Sequence, residues 1–133
     1  MAESIFLKRV MEMAKIDQDL RFSAVRARKL SKGNNPVMEN YLIYLADFVH
    51  GQRLKSLIRA RGYPDSKSFG KAGMEAFWLL VQHQDYDVDL QKRCLKNCDF
   101  SKEQSEHLID RIAVNEGRRQ RYGTQTTPSA PQS

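Results

Sequence analysis

The chain predicts an all-α fold: a single compact bundle of about five helices closed by an irregular C-terminal strap. Three observations predict it. Apolar residues recur three and four positions apart in five separate segments, which is the spacing of one helix face. No alternating run of β-branched residues competes with that reading. Helix-starting and helix-stopping residues fall between the segments.

The first helix is expected over residues 3 to about 28, where Phe6, Val10, Met13, Leu20 and Ala24 form one stripe. Asp17 falls on the same stripe, and Arg21 follows one turn later. Ser31 to Asn35 reads as a loop, with Asn35 as a cap and Pro36 at the start of the next helix. That helix is expected to run from Pro36 to about Arg61, bent or divided by Gly51 near His50. Tyr44, Leu54 and Ile58 share a face with Asp47, a second acid on an apolar stripe. Gly62 stops the helix, and Tyr63 to Ser66 makes a turn.

A third helix is expected over about 69 to 84, with Ala72, Ala76, Leu79 and Leu80 stacked below His83. Gly70, Ala72, Gly73 and Ala76 are small enough for a neighbouring helix to approach closely. Asp87 is placed to cap a short helix over about 88 to 98. Ser101 and Gln104 form a capping-box pattern for a fifth helix, which ends at Glu116 before Gly117. In it, Leu108, Ile109 and Ile112 face inward. Residues 1–125 therefore read as one helical domain. Residues 126–133 are uncharged, rich in Ser, Thr, Pro and Gln, and read as a disordered tail.

The bulk chemistry narrows the function classes. A chain of 133 residues, 41% apolar and 29% charged, suits one globular domain. It holds no run of about 18 apolar residues, so no membrane span is expected. Met1-Ala2-Glu3-Ser4 lacks the layout of a secretory signal, and a cytoplasmic location is expected. Cys94 and Cys98 stand four apart, which is neither a redox nor a zinc spacing, and are expected as free thiols. Lys and Arg outnumber Asp and Glu by 22 to 16, a net +6 that favours anionic partners. No aromatic residues interleave with these bases as a nucleic-acid stacking platform would require, so nucleic acid is not the favoured partner.

His83 is the candidate centre for chemistry, because it sits at the polar end of an apolar run that contains the single Trp. Asp85, two positions on, points elsewhere on a continuous helix. An orienting carboxylate is therefore sought among Asp17, Asp47 and Asp110. Buried carboxylates need partners; Arg21 can serve Asp17, and Arg111 or Arg118 can serve Asp47. His83, Asp17 and Asp47 form the candidate catalytic set. No metal motif, nucleophile motif or phosphate loop is present, so no cofactor and no metal is assigned. The segment Trp78 to His83 is expected to floor a pocket between helices. The donors after the last helix, Arg118 to Gln125, either clamp a small anion above it or pack as a strap.

Several blocks also resemble a known family. They are Trp78-Leu79-Leu80-Val81-Gln82-His83 with Asp85, then Asp110-Arg111, then Gln120 with Tyr122-Gly123-Thr124-Gln125. Together with Asp17-Gln18, Arg21, Asp47 and Gly62-Tyr63-Pro64, they resemble a mainly bacterial domain-of-unknown-function family (DUF family 6624). The likeness spans about residues 10 to 125, outside Ser31 to Tyr44. It implies no activity. It does imply that Asp17, Arg21, Asp47, Gln82, His83, Asp85, Asp110, Arg111, Gln120, Tyr122 and Gln125 form a polar signature. The function expected is binding of, or action on, a small anionic ligand around His83, with Arg21, Gln82, Arg111, Arg118, Gln120, Tyr122 and Gln125 as ligand-binding candidates. The alternative is a non-enzymatic module whose basic faces contact nucleic acid or an acidic protein.

Overall fold

The computed structural model describes residues 4–32 and 36–126. Among them the chain forms five helices: α1 (Ile5–Leu30), α2 (Val37–Arg61), α3 (Ser66–Gln82), α4 (Val88–Asn97) and α5 (Lys102–Asn115). Helix α1 packs along both α2 and α3, while α4 and α5 pair and close the end of the bundle. None of these helices is long and apolar enough to cross a membrane. The expected cap Asn35 and the tail beyond Thr126 lie outside the described residues.

Local chemistry sets most boundaries. The side chains of Ser4, Asp65, Asp87 and Ser101 each accept a backbone N–H in the first turn of the helix that follows. Asp65 with Ser68, and Ser101 with Gln104, complete reciprocal capping boxes. Asp65 therefore starts α3 earlier than the turn expected there. The helix then breaks at Gly70, whose φ of 72° suits glycine.

The core gathers around Phe77, with Phe6 and Phe69 edge-on to it and Phe100 stacked on it at 6.2 Å. Val10, Leu54, Leu80, Leu90 and Leu108 fill the remaining space.

Two expectations about α2 are corrected. Gly51 neither bends nor divides the helix, which is continuous from Val37 to Arg61. A Cβ at Gly51 would overlap Gln84 Oε1, so the glycine instead admits the Gln84 side chain from the turn after α3. There Gln84 donates from Nε2 to the Asp47 carbonyl at 2.9 Å. Tyr44 does not join Leu54 and Ile58 inside; it is 62% exposed and stands against Tyr86.

Candidate functional site

The site forms where three helices meet. Asp17 projects from the middle of α1, Asp47 from the middle of α2, and His83 occupies the C-cap of α3. Asp17 sits at a buried stripe position and Asp47 lies one turn before Gly51 and two before Leu54, both buried, so core packing carries both carboxylates inward. His83 lies where α3 runs out, which leaves its side chain 14% exposed.

Asp17 Oδ1 lies 3.0 Å from His83 Nδ1. Arg21, one turn along α1, ion-pairs with Asp17. It also reaches across to Asp47, with Nη2 at 2.9 Å from Oδ2 and Nη1 at 3.2 Å from Oδ1. Gln18 adds a donor to Asp17 at 2.9 Å. One guanidinium thus bridges two buried carboxylates, and the imidazole closes the cluster. The partners expected for Asp47 are corrected here: Arg111 and Arg118 are engaged elsewhere, and Arg21 takes their place.

The two acids differ in their proton affinity. Burial opposes the charge on Asp17, but the hydrogen bond and charge of His83, with Arg21 and Gln18, outweigh it and hold the carboxyl below its usual range. Burial dominates at Asp47, and the Arg21 contacts do not fully offset it, so its carboxyl is pushed up. An ionised Asp17 can only accept, so His83 Nδ1 carries the hydrogen. In the neutral ring, Nε2 is then the basic nitrogen, and it has no hydrogen-bond partner among the described residues.

One ligand atom each from Asp17, Asp47 and His83 lies within 4.8 Å of the others, close enough to hold a metal ion. The Arg21 guanidinium already binds both carboxylates. A cation entering there would have to displace it.

His50 belongs to the same neighbourhood, although the sequence reading gave it no role. It is buried, its Nδ1 has no partner among the described residues, and the charges of Asp17 and Asp47 reach it. Burial nonetheless lowers its pKa and keeps the ring neutral. The available signal was its position three residues after Asp47 on the α2 stripe.

The remaining predicted residues form a second cluster. Arg111 grips Asp85 with two bonds of 2.7 Å and also donates to Gln125 at 3.1 Å. Burial disfavours the Asp85 charge, but Arg111 and Asn115 overcome that and hold its carboxyl low. Asp110 does not orient His83. It is fully buried and accepts the backbone N–H groups of Arg121, Tyr122 and Thr124 together with the Thr124 hydroxyl. Gln120 and Gln125 bond to each other in both directions. Arg118 pairs with Glu116 at 2.6 Å, and Tyr122 is exposed beneath the Arg121 guanidinium. The segment after α5 is therefore a tied strap, which was one of the two readings left open. Gln82 is buried, its backbone carbonyl accepting from Gln91 Nε2 at 3.2 Å.

Trp78 is also corrected: it does not floor a pocket with His83. Its Nε1 donates to the Gln104 carbonyl at 2.9 Å, and its ring meets His107 edge-on. There it helps line an open groove of about 850 Å³ between α3 and α5, whose lining residues do not include His83.

Comparison with protein-family models, with curated proteins and with solved structures gives no match.

Proposed function

We propose that the protein binds a small anionic ligand at His83 and exchanges a proton with it through Nε2. The observation that carries the reading is the 3.0 Å pair between Asp17 and His83 Nδ1, with Nε2 left unpaired. A carboxylate behind Nδ1 fixes the tautomer and holds the ring in place, the arrangement a general acid–base histidine needs.

The net charge of +6 supports an anion as the ligand. Within the cluster, Arg21 offsets part of the negative charge of Asp17 and Asp47. Nε2 lies on the ring edge away from the nitrogen that faces Asp17, so a ligand at Nε2 meets the ring before the carboxylate. The same residues carry the family resemblance, and we propose membership in that bacterial family on this basis. Its polar signature would then describe two clusters: Asp17, Arg21, Asp47 and His83 around the ring, and Asp85, Asp110 and Arg111 with Gln120 and Gln125 of the strap.

Inorganic phosphate is the probe. Titrated into the full chain, it is expected to shift the His83 ring resonances saturably in long-range ¹H–¹⁵N spectra, with the His107 ring as the internal control. Asp17→Asn is expected to weaken that binding by about tenfold, the loss of one charge-assisted hydrogen bond. Equal, non-saturating shifts at His83 and His107 would overturn the reading.

A further inference from the structure

Helix α2 has a second apolar face that stands exposed among the described residues. Its inner face carries Asp47, His50, Gly51, Leu54 and Ile58. On the outer side, Val37, Tyr41, Tyr44 and Phe48 follow one another at spacings of four, three and four. Met38, Leu42, Leu45 and Val49 repeat the same spacings one residue later. Each of these eight residues has between 41% and 71% of its surface exposed. Tyr86, from the turn after α3, extends the face by stacking on Phe48 at 6.1 Å and leaning on Tyr44.

A 4-3-4 spacing is the repeat by which helices pair through knobs and holes, and two adjacent rows make the wide stripe of a helical bundle. The exposed surface of these residues amounts to on the order of 1,000 Å², against about 800 Å² per partner in a standard protein interface. A monomer rarely leaves so large a contiguous apolar area open.

Charge selects the occupant. Between Lys32 and Arg53 the chain has no lysine or arginine, although it carries +6 in total. A helix that lies on an anionic membrane or on nucleic acid needs bases beside its apolar stripe. A face that is apolar along its length, in a segment whose charged residues are Glu39 and the inward Asp47, complements itself across a two-fold axis.

We infer that the outer face of α2, extended by Tyr86, pairs with the same face of a second copy of this chain. The inference is independent of the His83 reading, because neither row includes a residue of that cluster.

Sedimentation velocity on the full chain, across a concentration series, is expected to give a species near twice the 15.4 kDa chain mass. Leu42→Glu combined with Leu45→Glu is expected to raise the dimer dissociation constant at least about tenfold, as removal of central apolar contacts does. The helical circular dichroism spectrum should stay unchanged, because both side chains already face outward. If that variant loses its helical spectrum, Leu42→Gln with Leu45→Gln replaces it and should show the same loss of dimer. A monomer at every concentration overturns the inference, as does a dimer indifferent to both variants. A monomer that co-floats with lipid vesicles also overturns it, and assigns the face to a bilayer.

Discussion

Arg21 holds the site together. It is one helical turn from Asp17 and reaches Asp47 across the α1–α2 interface, so a single cation serves two buried carboxylates. Removing one partner of a buried charge cluster strands the others, typically at about 3–5 kcal/mol. Arg21→Met is therefore expected to cost stability of that order in urea unfolding, while Arg9→Met, which breaks the exposed pair with Glu12, should cost about 1 kcal/mol or less. Half of this cluster was legible in the sequence. Asp17 and Arg21 are four apart, and that spacing alone puts them in reach. The Arg21–Asp47 bond was not, because it depends on how α1 and α2 are rotated against each other. Arg111 and Arg118 were equally eligible by charge, and only packing separates the three.

At the scale of elements, the starts of α4 and α5 were legible because capping is a contact within one turn. Asp87, Ser101 and Gln104 act where their spacing placed them. The strap was legible only as an alternative. What decides it is Asp110, whose two oxygens accept four donors from Arg121, Tyr122 and Thr124. Burial opposes the Asp110 charge, yet those donors hold its carboxyl low. Asp110→Ala removes all four acceptor contacts at once and should release the strap while leaving α1 to α3 folded. Trypsin should then cut after Arg119 and Arg121 in the variant much faster than in the parent chain. Equal cleavage of the two proteins would show that the strap is held by other contacts. Tyr44 shows the opposite limit of element reading. Its spacing from Leu54 and Ile58 fits one broad stripe, but α2 has two apolar faces, and the core uses only one of them.

For the whole molecule, the buried titratable groups set a pH dependence with two windows. The His50 pKa is lowered from 6.5 by burial, so the unfolded chain binds a proton there that the folded chain refuses. Its contribution to stability is full above pH 6.5 and declines as pH falls below it, with a slope of at most about 1.4 kcal/mol per pH unit. Asp17, Asp85, Asp87 and Asp110 have pKa values held below 3.8. Their contribution is present above that value and is lost as pH falls through their folded values. Asp47 runs the other way: its raised pKa costs stability once it ionises, and acid relieves that cost. Urea unfolding from neutral pH downward should therefore show a first decline beginning near 6.5. His50→Gln should abolish that decline and leave the deeper acid transition in place.

The sequence by itself determined the helical class, several of the helix ends and the polar residues set on apolar stripes. Each of these rests on interactions reaching at most one turn along the chain, so spacing and residue type suffice to read them. The tertiary structure decided which acid meets which base, which face of α2 is inside, and that Asp17 rather than Asp47 or Asp110 stands behind His83. Those outcomes depend on the relative rotation and offset of packed helices. Core volume and shape select that geometry, and no pattern confined to one segment encodes it.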